Sequence, residues 1–250
     1  MNARRFEQVF EGTCEAHGVY TGTEFVLGKF KHRTTCPICK QAADSAKKGQ
    51  AEALQRQSTV NRCHADAEIP DTYARLDARL VRPEILDWVR QQPSPGSLVL
   101  LGRSGNGKSS QAAAALKALA DRMVTVHFAS ADSIVRAIDS ASSFSSKVSQ
   151  QQLIDCYAQW QVLCIDDVTP LDSRHARILA AVVERRYQSL KSMIVTTNCS
   201  PADLLQTGSN DRSGSANLAT MQMLSRWRDR GHWLTLPDVC YRQPFIDKRL

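Results

Sequence analysis

The 250-residue sequence predicts an α/β fold built on a parallel sheet, preceded by a small metal-stapled head and a helical linker. Three observations carry this expectation. Apolar stretches of strand length (Ser97–Leu101, Val124–Phe128, Val162–Ile165 and Met193–Thr197) alternate with helical segments, as in a parallel sheet covered on both faces. The first stretch runs straight into Gly102-Arg103-Ser104-Gly105-Asn106-Gly107-Lys108-Ser109, a glycine-rich turn ahead of an alanine-rich helix. Ahead of the sheet lie two ligand pairs, Cys14-x-x-His17 and Cys36-Pro37-Ile38-Cys39. The implied boundaries are 1–41 for the head, 42–66 for the linker and 67–250 for the α/β domain.

In the head, two residues between ligands let both side chains of a pair reach one ion from a tight turn. The loop that the second pair closes is too short for a core of its own, so Zn²⁺ held by Cys14, His17, Cys36 and Cys39 is the expected staple. Four protein ligands leave no open position, which makes the site structural. His32, Cys63 and His64 are the alternative ligands, and free thiols are the plainer reading. The segment VYTGTEFVLGKFKHRTT alternates apolar and polar residues with glycines, as a hairpin does.

Of eight cysteines, the other four (Cys156, Cys164, Cys199 and Cys240) read as buried thiols, and a cytosolic chain argues against disulfides. From Gln41 to Gln57 the residues favour helix but lack apolar periodicity, as in a solvated connecting helix, with Cys63 and His64 on the linker that follows. Ile69-Pro70 opens the second domain, and Pro93-Ser94-Pro95-Gly96 is a rigid turn into the first sheet strand.

Strand, glycine turn and helix together make a phosphate cradle. Successive backbone N–H groups turn inward around the β-phosphate, and the helix adds its positive N-terminal end. Gly102, Ser104, Gly105, Asn106, Gly107, Lys108, Ser109 and Ser110 are therefore the expected nucleotide-binding residues. Lys108 would reach the β- and γ-phosphates, and the Ser109 hydroxyl would sit on Mg²⁺. A second strand, Val124–Phe128, precedes a helix from Asp132 to Ile138, the serine-rich loop SASSFSSKVS and a helix through Tyr157.

Val162–Ile165 then ends in two carboxylates. Asp166 is placed to hold Mg²⁺, and Asp167 to act as base or water-orienting residue, with a reach one methylene shorter than glutamate. A long helix from Ser173 to Ser189 leads to Met193–Thr197, and Asn198 at its end could sense the γ-phosphate or the attacking water. In the tail, Leu224-Ser225-Arg226-Trp227 precedes a last short strand, His232–Leu236. Arg226 is the expected arginine finger for a neighbouring subunit's nucleotide, with Arg228 and Arg230 as competitors.

These residues together (CEAHG…CPIC, Ile69-Pro70, GRSGNGKS, VLCIDD, IVTTN and LSRW) resemble the AAA+ ATPases, and among them the bacterial and phage replicative-helicase loaders of the DnaC/DnaI type. The resemblance implies an AAA+ P-loop core with the ASCE strand order. It further implies a slow ATPase using ATP and Mg²⁺ and, through the Cys/His head, a phage or prophage source. A head that grips the DnaB-type helicase hexamer, self-association of AAA+ domains and single-stranded DNA as a further partner follow from it too. Asn198 becomes sensor 1 and Arg226 the finger; Phe144 and Lys147 offer an aromatic and a cation to a DNA strand.

The rivals are an IstB-like transposition helper ATPase, which the Cys/His head disfavours, a nucleoside kinase, and an ATP-gated adaptor with little turnover. No apolar run approaches the ~20 residues of a membrane span. MNARRFEQVFEG lacks the apolar core of a signal peptide, so a cytoplasmic location is expected. The net charge of +7 permits a nucleic-acid partner, although no basic tail concentrates it.

Overall fold

The computed structural model describes residues 6–27, 30–75, 81–92, 96–142, 147–205 and 215–239. They fall into two compact units, one up to Ser58 and one from Thr59 onward.

The first unit carries a three-stranded antiparallel sheet in the order β1 (Phe6–Cys14), β2 (Gly18–Leu27), β3 (Phe30–Arg33). The hairpin read from the sequence begins after His17; in the structure the larger pairing is β1 with β2, running from Phe6↔Val26 to Cys14↔Gly18. Strand β1 is not signalled by the sequence because Gln8 and Gly12 on the face of Phe10, and Val9 among the polar residues, interrupt its period-two pattern. One face of the sheet holds the pair Phe10 and Tyr20, edge-on at 6.0 Å, with the Arg33 guanidinium 5.0 Å from the Phe10 ring centre. Gly22 lies under Phe10, where a Cβ would come within 2.7 Å of the ring. Glu24, 2% exposed, accepts hydrogen bonds from Gln8 and from Arg33 Nε (2.8 Å), and Arg33 holds its carboxyl below the usual range.

Helix α1 (Pro37–Asp66) starts inside the second Cys pair, at a proline whose preset φ suits the first helical turn. From Gln41 to Ser58 it is exposed on every side, as its lack of apolar periodicity requires.

The second unit is a five-stranded parallel sheet in the order β5-β6-β7-β4-β8. The strands are β4 (Ser97–Leu101), β5 (Val126–Ser130), β6 (Val162–Asp166), β7 (Ser192–Thr197) and β8 (Gly231–Thr235). Strand β7 separates the phosphate-loop strand from the double-acid strand, which is the ASCE order. The apolar strands bury both faces by simple alternation. Leu98, Leu100, Val162, Cys164 and Ile194 pack toward α3 (Pro83–Gln91) and α4 (Lys108–Ala120). Val99, Leu163, Ile165, Met193 and Val195 pack toward α5 (Ala131–Ser140), α7 (Ser173–Gln188) and α9 (Ser215–Arg228). Ala112 to Ala115 are at most 2% exposed; their small side chains let α4 lie close on the sheet. Helix α6 (Gln150–Gln159) starts in a Ser149 capping box, and the four-residue helices α2 (Asp71–Ala74) and α8 (Pro201–Leu204) complete the described elements.

Several sequence expectations change here. Cys63 is not solvated but buried in the second unit's core, and His64 pairs with Asp121 at 2.7 Å. Cys164 is buried as expected, whereas Cys156 is exposed and Cys199 half-buried. Pro93 to Pro95, Phe144 and Cys240 lie outside the described residues.

Arg186 on α7 is fully buried and could not be read from the sequence. Its guanidinium donates to the carbonyls of Tyr157 (2.7 Å), Trp160 (3.0 Å), Gln161 (3.4 Å) and Ser192. It thereby ties the turn before β6 to the start of β7, and burial pulls its pKa down to about 9. Arg186→Met keeps the apolar stem but strips these carbonyls of a charged donor. The expected cost is about 3 kcal/mol, read as a lower urea midpoint with unchanged m-value.

Candidate functional site

The glycine turn after β4 is held by its own side chains. Gly102 (φ +142°), Gly105 (φ +85°) and Gly107 (φ +86°) occupy conformations that L side chains resist, and a Cβ on Gly102 would sit 2.1 Å from Asn106 Nδ2. Lys108, the first residue of α4, is 7% exposed. Its Nζ donates to the carbonyls of Gly102 and Arg103 (2.7 Å each) and to Asn106 Oδ1 (3.2 Å).

These residues open into a cleft of about 600 Å³ lined by Ser104, Gly105, Gly107, Lys108, Ser109 and Ser110 on one side. Asp166, Asp167, Thr196 and Asn198 line the other. The structure thus brings together residues that the sequence scatters over three strand ends.

Asp166 ends β6 and is buried to 9% exposure. Burial pushes its carboxyl above the ordinary value, while hydrogen bonds from Thr196 and Ser109 and the charge of Lys108 pull the other way. A buried carboxylate beside a serine hydroxyl at the mouth of a phosphate-sized cleft suits a hard divalent cation, and Asn106 Nδ2 is buried without a hydrogen-bond partner nearby. The residues therefore fit a magnesium–nucleotide, with Ser109 and Asp166 as the cation's protein ligands. Asp167 leaves the strand at φ +55°, an uncommon conformation for a non-glycine residue, and this turns it out into the cleft.

Asn198 follows β7 directly, is exposed to the cleft, and accepts a hydrogen bond from Cys199 Sγ at 3.4 Å. Two lining residues were missed. Thr196 is 1% exposed and lies within the same IVTTN segment, but only strand register shows what its hydroxyl meets. Tyr73, three residues past Pro70, lies at the cleft with its ring 5.9 Å from Phe128, where an aromatic face can stack a nucleobase. The aromatic just after Ile69-Pro70 was the available signal.

Arg226 is not in this cleft. It lies on α9 beside Gly96, Ser97 and Met193, at the N-terminal ends of β4 and β7, whereas the phosphate loop follows the C-terminal end of β4. Its Nε pairs with Glu184 at 2.7 Å, and its guanidinium lies 4.4 Å over the Tyr187 ring. From there it cannot reach its own chain's phosphates. Arg228 and Arg230 are exposed, the latter at φ +58°.

In the first unit Cys14, His17, Cys36 and Cys39 converge, their ligand atoms all within 4.8 Å of one another. Cys14 Sγ to Cys39 Sγ is 3.5 Å, and His17 Nδ1 is 3.5, 3.8 and 3.3 Å from the sulfurs of Cys14, Cys36 and Cys39. A tetrahedral Zn²⁺ with sulfur ligands at ~2.3 Å and nitrogen at ~2.0 Å has ligand–ligand edges of roughly 3.5–3.8 Å. The set fits such an ion, and the spacing is far beyond a disulfide's ~2.05 Å. His32, on β3 opposite Phe25, is not among the four.

The sequence model of the family described as IstB-like ATP binding protein matches residues 42–243, four-fifths of the chain. The chain belongs to that family. It is an ATP-binding protein of AAA+ type, an ATPase of a family that uses the nucleotide with Mg²⁺. The matched span begins three residues past Cys39, so the Cys/His cluster lies outside it.

No curated protein matches the chain by sequence. Among solved structures, that of DnaI matches with a TM-score of 0.56 at 17% identity, covering 70% of this chain and 95% of that one. The DnaC helicase loader matches at 0.55 and 19%, covering 67% and 100%. A candidate primosome component from Streptococcus pyogenes serotype M3 matches at 0.54 and 23%, covering 70% and 93%. Identities this low speak for the shared AAA+ fold. No described helix is long and apolar enough to cross a membrane.

Proposed function

We propose that this IstB-like ATPase is a loader of a replicative, DnaB-type DNA helicase, and that its head is a zinc-bound module that grips the helicase hexamer. The observation that carries the reading is the Cys14-His17-Cys36-Cys39 cluster placed ahead of an AAA+ core whose fold matches a protein titled a helicase loader. Residues 1–41 are then the gripping head, 42–66 the linker and 67–250 the motor, in a phage or prophage protein of the cytoplasm.

In the motor, Gly102, Ser104, Gly105, Asn106, Gly107, Lys108, Ser109 and Ser110 bind the triphosphate. Mg²⁺ held by Ser109 and Asp166 would neutralise charge on the β- and γ-phosphates. Asp167 orients the attacking water from its left-handed backbone position, and Asn198 hydrogen-bonds water or γ-phosphate. Arg226 faces away from its own cleft, so its role requires a second copy, consistent with self-association on the helicase and with single-stranded DNA as the loaded track. Freed from Glu184, its guanidinium would complete the neighbour's site.

The test is co-elution of the full-length, metal-replete protein with the DnaB-type hexamer. Complex formation that is lost in His17→Ala supports the reading, and no complex overturns it. Asp167→Asn is expected to keep ATP binding and lower turnover at least ~100-fold. If that variant still loads helicase while Lys108→Ala does not, the protein works as an ATP-gated adaptor. The family match favours one other reading, an IstB-like transposition helper, in which the hexamer would not bind and a transposase–DNA complex would.

A further inference from the structure

The ladder between β6 and β7 pairs Val162↔Ser192 through Ile165↔Val195 and then stops. Beyond it, where the strands deliver the two carboxylates, threonine side chains continue the pairing. Thr196 Oγ1 donates to Asp166 Oδ1 at 2.6 Å and accepts the Asp167 backbone N–H at 2.9 Å. The Thr196 carbonyl accepts from Val168 N at 2.8 Å, and Thr197 Oγ1 donates to the Val168 carbonyl at 2.6 Å. One hydroxyl therefore fixes the side chain of one acid and the main chain of the next. It does so at the point where Asp167 adopts φ +55°.

We infer that Thr196 is a positioning residue for ATP hydrolysis, whose single hydroxyl aims Asp166 at the cation position and Asp167 at the water position. The inference rests on the ATPase reading of the cleft and adds a residue to it. The geometry explains why the hydroxyl is needed. The Thr196 hydroxyl is the acceptor that holds the Asp167 N–H where the β6–β7 ladder has ended, and without it the strained backbone would relax toward an ordinary conformation, moving the carboxylate. Asp166, buried, would lose one of its two hydroxyl donors and be held by Ser109 alone. Thr196 also sits two residues before Asn198, which follows the end of β7, so a shift of that strand end reaches both acids and the amide together.

Thr196→Val keeps the β-branched shape without the hydroxyl, and Thr196→Ser keeps the hydroxyl. Fluorescent N-methylanthraniloyl-ATP titrated in EDTA and in Mg²⁺, together with steady-state turnover, separates positioning from folding. The expected result for Thr196→Val is EDTA affinity within threefold of wild type, loss of the affinity gain that Mg²⁺ gives wild type, and kcat at least tenfold lower with KM little changed. Thr196→Ser is expected to restore both. Any of three results overturns the inference: a Mg²⁺ response and kcat like wild type in Thr196→Val, a Thr196→Ser variant as impaired as valine, or nucleotide affinity lost in EDTA as well. A wild-type protein that binds but does not turn over ATP would count against the ATPase reading alone, because the Mg²⁺ arm of the binding titration still judges Thr196.

Discussion

Lys108→Ala is expected to cut affinity for ATP by roughly 10²–10³-fold. The lysine is 7% exposed, and its ammonium is gathered by the Gly102 and Arg103 carbonyls at 2.7 Å. It is therefore held at the centre of the loop instead of ranging over the surface. A charge-assisted hydrogen bond contributes about 1.5–3 kcal/mol, and a 10²–10³-fold loss is about 2.7–4.1 kcal/mol, the loss of one strong or two weaker bonds of this kind. A titration with fluorescent ATP reads it directly. A thermal melt supplies the control, since ligand at 100 times its Kd stabilises the native state by about 2.7 kcal/mol. Wild type should melt higher with ATP and Mg²⁺, and the variant should not. The variant without nucleotide should melt close to wild type, because two of the lost partners are main-chain carbonyls of the glycine turn, and the third, Asn106 Oδ1, is the longest contact at 3.2 Å. Affinity within threefold of wild type would mean that the cleft does not bind triphosphate through this loop.

The elements that place this site were legible because their signals are local. Four consecutive apolar residues before a glycine turn, or an apolar run ending in Asp166-Asp167, announce a strand end wherever the chain later puts it. The remainder depends on what lies across space. Thr196 became meaningful only once β7 was seen beside β6 in a register that sets its hydroxyl between two acids thirty residues earlier in the chain. Arg186 looked like one more cation of an amphipathic helix, yet it is buried among carbonyls from three other segments. Arg226 could be named from its tail segment, but not its position outside its own chain's phosphate cleft. Its bond to Glu184 and its place at the opposite end of β4 needed the fold. Strand β1 was hidden for another reason: Gln8 and Gly12 share the face of Phe10, and Val9 lies on the solvated face, so the alternation that marks a strand is interrupted on both faces.

The same thin apolar signal makes the head the part of the chain most dependent on metal. Val9, Val19 and Phe30 are 74%, 71% and 81% exposed, so the first unit relies on few buried apolar contacts beyond the Phe10–Tyr20 pair. Burial on that scale does not offset the ordering of three strands, whereas a structural Zn²⁺ contributes an apparent ~10–16 kcal/mol at pH 7. The purified protein is expected to carry one Zn²⁺ per chain. Cys36→Ser, which alters a ligand that is only 5% exposed, should lose the metal together with amide protection over residues 6–27. ATP affinity should stay at the wild-type value, because the cleft lies wholly within the second unit. The thiols also predict how binding responds to acid. His17 lowers the Cys14 thiol to about 6, so at pH 7 it is already largely ionised, while the neighbouring Cys14 sulfur pushes Cys39 up to about 11. Cys39 must then give up its proton when the ion arrives, so zinc uptake at pH 7 should release protons and weaken as the pH falls toward 6. Calorimetry in two buffers of different ionisation enthalpy measures that release. Protected strands in a metal-free Cys36→Ser protein would show that the head holds itself together by packing and that the four-residue cluster is incidental to it.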